Sequence, residues 1–320
     1  MQKETRAVIT VLVGATLLSS MGVWGRAIYS FEDDPMTVVT WRALIGAASL
    51  AAVLSLTRPQ LLRIRSRDLP FFALYGFIGV TINFWAYFSA FKFTTLAVAI
   101  TLLYTFPAFV ALLSAVFLGE RLTQTKIGAV ALTLLGSGLV AQVHQAEWFR
   151  LNLQGILFGL LAGITAASYS IFGKRALGRY APWTVVLYAF AAGGLFLAVM
   201  SGPRLLRAVE YPSTGWLWIL GLALVPSLGG YTLYTLGLRD LPASHASIVA
   251  TWEVVTTTLL GWLVFREHLT PVQLLGIALV CIGIAWIQRS ENRRRRDFRY
   301  PGDCCGSRGR VGKRPHRHGL

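Results

Sequence analysis

Apolar residues along this chain gather into blocks of about twenty, separated by short polar turns. A helix of that length crosses a hydrocarbon core of about 30 Å. Ten such segments are read, over about 7–29, 36–56, 70–91, 95–118, 125–143, 153–173, 182–201, 215–238, 242–265 and 270–288. The connections are short, so the expectation is an all-α integral membrane bundle without a soluble domain.

Composition strengthens that reading. Of 320 residues, 55% are hydrophobic and 14% charged, where a soluble domain carries about 25% charge. The formal net charge of +16 is unevenly placed. With the N-terminus in the cytoplasm, the inner turns hold twelve Lys/Arg and the outer turns six, before the eleven from Arg289 onward are counted. This bias predicts both termini inside and leaves the acidic turn Glu32, Asp33 and Asp34 outside. The first apolar stretch lacks a small-residue cleavage site and is read as a retained segment. Residues 289–320 are read as a basic, disordered cytoplasmic tail near anionic lipid; no nucleic-acid partner is expected, because no nucleic-acid fold is found. Cys281, Cys304 and Cys305 form neither metal-ligand spacing nor a disulfide framework. No cofactor and no metal are expected.

The two halves resemble each other. "PMTVV" at 35 matches "PWTVV" at 182, and the same shift of 147 places "GERLT" (119–123) on "REHLT" (266–270). It also pairs Tyr87 with Tyr234, Leu132 with Leu279 and Gly136 with Gly283, while Arg42 meets Ala189. A shift of 149 pairs Gly14 with Gly163, Ser19 with Ser168 and Arg26 with Arg175. Five segments per half is an odd number, so the second copy must enter the membrane inverted. Inverted repeats are a recurrent plan of secondary transporters, with a site near the midplane.

These features carry a family resemblance over about residues 7–288. The 5+5 arrangement, "GERLT" and "REHLT", "LPASHASIVATWEVV" (241–255) and "LYTFPAF" (103–109) together resemble the EamA family of the drug/metabolite transporter superfamily. Val254 stands where that family often has Pro. The resemblance implies a first repeat over 7–143 and a second over 153–288, with four helices of each half around a central cavity. It places the fifth and tenth helices at the periphery, and it implies transport of small metabolites.

Ionisable groups inside a segment are costly and usually face the protein interior. Glu253 lies mid-segment nine and could bind an amine, carry a proton, or brace two helices. Arg42, in segment two, could meet a substrate carboxylate, or else snorkel outward or pair with the acidic turn. Asn83 and Tyr87 share one face of segment three; Tyr231 and Tyr234 occupy the equivalent stretch of segment eight. With Tyr104, Pro107, Ser168 and Trp252 they could line an aromatic cavity with a few polar anchors, or the tyrosines could belong to interfacial belts. His245 is a gate candidate or a packed neutral histidine. Glu120 and Glu267 read as helix-end anchors, and Gly155, Gly159 and Gly163 as a packing row.

No Walker A loop, His-Glu-x-x-His or Gly-x-Ser-x-Gly occurs, so neither direct ATP drive nor an enzyme is indicated. The function expected is secondary active export of small metabolites, amino acids or related amphipathic compounds, by alternating access in a bacterial-type inner membrane. The alternative is a non-transporting membrane sensor or assembly protein. The expected partners are a small-molecule substrate and the bilayer; a homodimer is compatible with this plan.

Overall fold

A computed structural model of the chain describes residues 2–32, 34–94, 96–143, 153–266 and 268–299. Asp33, Arg150, Glu267, Cys304, Cys305 and the tail from residue 300 lie outside the described residues. Among the described residues every regular element is helical, and nine helices are long and apolar enough to cross a membrane. Segment five is a shorter apolar helix of 17 residues, Gln124–Val140. The last helix runs from Pro271 to Arg299. Residues 289–299, expected to be disordered, therefore continue segment ten as helix; their many arginines are good helix formers.

Four elements are straightforward. Segment two is Pro35–Thr57, capped by Asp34, whose carboxylate accepts the Met36 amide at 3.0 Å. Segment seven is its counterpart, Pro182–Ser201, and segment six is Leu153–Leu177. Segment five is capped by Thr123, which accepts the Lys126 amide.

Segment one divides into Gln2–Ser19 and Met21–Ile28 without a matching break in six; the other four interruptions come in pairs. Segment three passes from Leu69–Gly76 through a π-helical stretch, Phe77–Ile82, to Asn83–Phe93. Segment eight does the same through Ala223–Gly230, between Ser213–Leu222 and Tyr231–Asp240. Segment four divides into Leu96–Leu103 and Phe106–Phe117, and segment nine into Ala243–Ala250 and Trp252–Phe265. Each break ends on a threonine whose hydroxyl turns back to a carbonyl three residues earlier: Thr105 to Leu102 and Thr251 to Ile248, both at 2.6 Å. Such a bond competes with the regular helical pattern. Pro107 adds to the first break by removing an amide donor; the second forms without proline. Gly119 and Arg266, matched by the repeat, both take a left-handed backbone, φ 68° and 55°.

Packing repeats the pairing. Segment one lies along eight as six lies along three, segments two and seven pack on each other, and so do five and ten. Segment four contacts six as nine contacts one. The main core joins residues of eight segments, among them Val11, Ala43, Tyr75, Val110, Tyr169, Val185, Leu238 and Val249. Segments five and ten lie outside it as a peripheral pair, where Gly136 and Gly276 allow close approach. A Cβ on Gly136 would meet the Gly276 carbonyl oxygen at 2.6 Å and Val280 Cγ2 at 2.8 Å. Gly136→Leu is expected to destabilise the protein by about 1–3 kcal/mol through overpacking, read as a lower melting temperature in detergent, whereas Leu at the equally helical but open Gly22 should leave it near wild type.

The glycine row of segment six serves packing, as its spacing suggests. A Cβ on Gly155, Gly159 or Gly163 would collide with Thr94, Leu102 or Thr105 respectively.

Candidate functional site

The two broken segments set the site. Glu253 occupies the first turn of Trp252–Phe265, where helix N-terminal amides favour a negative group. Tyr104 sits in the facing break of segment four. Two side chains act on the Glu253 carboxylate: the Arg42 guanidinium and the Tyr104 hydroxyl. Tyr87 of segment three and Tyr231 of segment eight also lie within electrostatic reach of it. Glu253, Tyr87, Tyr104 and Tyr231 are deep among the helices yet only partly covered. Four segments thus bring one carboxylate and three phenol hydroxyls together.

Arg42 is 6% exposed. Its guanidinium lies 4.1 Å above the Phe84 ring and donates from Nη1 to Met21 Sδ at 3.0 Å. Tyr231 is its hydroxyl neighbour. It neither snorkels to the interface nor joins the acidic turn: Asp34 pairs instead with Arg204 at 3.6 Å, and Glu32 accepts the Tyr211 hydroxyl. Arg42 and Glu253 sense each other's charge but form no direct ion pair.

The remaining candidates fall elsewhere. Asn83 is buried and its amide donates to the Ala162 carbonyl at 2.8 Å and to Thr165 Oγ1 at 3.3 Å, tying segment three to six. Ser168 donates back to Ile164 in its own helix. Tyr234 bonds Ser170 at 2.6 Å, and Trp252 Nε1 donates to Thr16 at 3.2 Å, joining segment nine to one. Pro107 is buried at the start of its half-helix. His245 is fully buried, with Nε2 3.1 Å from Gln288 Oε1 of segment ten. Phe84 and Met21, which hold Arg42, were not singled out from the sequence; apolar residues in apolar helices carry no local signal.

A second cluster joins the halves at the Arg-rich end. Glu120 Oε1 accepts the Ala243 amide at 2.6 Å, and Oε2 accepts from the Ser244 hydroxyl and from Lys126 Nζ at 2.9 Å. The carboxylate thus caps segment nine from the turn after segment four, the anchor role its position suggests. Burial pushes the Glu120 carboxyl up, but the bonds from Ser244 and Lys126, the Lys126 charge and the Ala243 amide outweigh it and hold it below the ordinary range. Nearby, Lys174 Nζ donates to the carbonyls of Leu238, Arg239 and Leu241 at 2.8, 3.1 and 2.6 Å, satisfying the end of segment eight.

Known proteins place this architecture. The sequence profile of the EamA-like transporter family matches twice, over residues 5–142 and 153–289. An uncharacterized transporter of Archaeoglobus fulgidus is 30% identical over 280 residues, covering 86% of this chain and 94% of the relative. A protein of Streptantibioticus cattleyicolor named "Probable terminal-alkyne amino-acid exporter" is 28% identical, covering 92% and 96%. The pseudopaline exporter CntI of Pseudomonas aeruginosa is 24% identical, covering 79% and 86%. One solved crystal structure shares the fold with a TM-score of 0.74 at 19% identity, over 91% of this chain and 99% of the other.

Proposed function

This chain belongs to the EamA-like transporter family, and on that premise we propose that it exports a small zwitterionic metabolite of the amino-acid class by alternating access. It is a multi-pass membrane transporter of small molecules. The observation that carries the finer reading is the opposed pair Arg42 and Glu253, brought to the middle of the bundle without a direct bond between them. Two buried charges held apart are costly, by several kcal/mol per ion. A ligand bearing a carboxylate and an ammonium offsets both: its carboxylate meets the Arg42 fork and its ammonium meets Glu253. Tyr87, Tyr104 and Tyr231 supply aromatic walls for an apolar side chain.

The two repeats, 7–143 and 153–288, are the moving halves. Support comes from the profile matching each half and from the paired breaks and contacts. The Arg-rich end is assigned to the cytoplasm by its Lys/Arg excess, in a bacterial-type inner membrane. Release of Ala243 and Ser244 by Glu120 is then the step that opens the inner end.

Purified protein in proteoliposomes tests the function. A preloaded panel of labelled amino acids should drive counterflow of at least one member, while the matching amines and carboxylic acids should not. Counterflow of none, or equal counterflow of singly charged analogues, overturns the zwitterion reading. Tyr104→Phe removes the hydroxyl that neighbours Glu253 and should lower uptake roughly 3- to 10-fold, the net weight of one ordinary hydrogen bond, with the melting temperature kept.

A further inference from the structure

Away from the central site, the turn 58–68 folds against the join of segments six and seven and borders an open cleft of about 360 Å³. The turn is fixed by four hydrogen bonds. Thr184 donates to the Leu61 carbonyl and Tyr188 to the Leu62 carbonyl, both at 2.7 Å. The Arg65 amide donates to the Tyr180 hydroxyl at 3.2 Å, which donates onward to Asp68 at 2.6 Å. The arginines of this turn therefore project from a pre-ordered backbone, which lowers the cost of binding.

Arg63, Arg65 and Arg179 line the cleft. Arg179 shares Asp68 at 3.5 Å. Arg63 and Arg65 are exposed and have no carboxylate partner among the described residues. The cleft thus holds more positive charge than its one nearby carboxylate neutralises. Ala181, at the start of the 20-residue helix of segment seven, forms another wall; Pro182 offers no amide there, which leaves those of Trp183 and Thr184 to add to the attraction for an anion. The remaining wall is apolar, through Leu61 and Ile64. Close by in sequence, Leu56 and Leu69 at the ends of segments two and three are 87% and 50% exposed, as side chains facing lipid would be.

We propose that this cleft binds the phosphate headgroup of an anionic phospholipid of the cytoplasmic leaflet. Guanidinium forks and helix amides take the phosphate oxygens, and the apolar wall takes the start of the acyl chains. A soluble phosphate would use the same donors and leave the apolar wall unused. Because the turn belongs to the first half and residues 179–184 to the second, the bound lipid bridges the two halves.

Native mass spectrometry of the detergent-purified full chain tests this with phosphatidylglycerol, phosphatidylcholine and inorganic phosphate as probes. Wild type should retain phosphatidylglycerol over phosphatidylcholine, and millimolar phosphate should not displace it. The double variant Arg63→Gln, Arg65→Gln should weaken phosphatidylglycerol retention about tenfold or more. The control double Arg58→Gln, Arg67→Gln changes two arginines of the same stretch that do not line the cleft, and it should stay near wild type. Equal loss in both doubles, or no loss in the first, overturns the site. Displacement by inorganic phosphate overturns its assignment to lipid. Thermal melting of both doubles should match wild type, since all four side chains are exposed.

Discussion

Glu253→Gln is expected to lower transport roughly 10- to 100-fold, the weight of a charged contact that the amide cannot replace, while the protein still folds. The substitution is nearly isosteric, and it removes a buried charge that has no direct ion-pair partner. Losing an unpaired buried charge relieves desolvation, so the melting temperature should hold or rise. Transport kinetics in proteoliposomes and melting in detergent separate the two effects. A variant that transports normally removes Glu253 from the mechanism. One that melts early makes it a brace between helices, the other role its sequence position allows.

Glu120→Ala should act in the opposite sense, chiefly on stability. It strips segment nine of its cap and leaves Lys126, with a side chain 6% exposed, without its partner. Removing one member of a buried pair costs about 3–5 kcal/mol. Glu120→Gln can still accept one bond and should cost less. The wild-type contribution depends on pH. Because the folded carboxyl titrates below its unfolded value of about 4.3, its stabilisation is present above that pH and fades as pH falls through the folded value. Melting temperature against pH should therefore drop more steeply for wild type than for Glu120→Gln below about pH 4. Parallel curves contradict the cap.

Some of this architecture is legible in the sequence. Segment positions follow from hydropathy, because the bilayer imposes length and apolarity on every crossing helix. The duplication shows in "PMTVV" and "PWTVV", since inverted halves keep equivalent turns. Glu253 and Arg42 stood out because charge in an apolar run is costly. What stayed hidden depends on depth and direction. The helix break at Thr251 has no proline to announce it, and it arises from a threonine hydroxyl competing for a backbone carbonyl. Of the paired π-helical stretches, the one in segment eight contains Pro226, whereas the one in segment three has no proline to mark it. Asn83 shares a helix face with Tyr87 by spacing, yet it is spent on Ala162 of segment six. Arg42 could not be aimed from its own segment, because Phe84 and Met21 reach it from two others.

Export by this scheme requires one ligand to span Arg42 and Glu253. Binding of a transported amino acid, its amide and its decarboxylated amine should be compared by titration calorimetry in wild type, Arg42→Gln and Glu253→Gln. In wild type, both the amide and the amine should bind at least about tenfold more weakly than the amino acid. In Arg42→Gln that penalty should vanish, because the carboxylate has no partner left to lose. In Glu253→Gln the penalty should persist. If loss of the ligand carboxylate costs the same affinity with and without Arg42, the carboxylate is read elsewhere and the central claim is wrong.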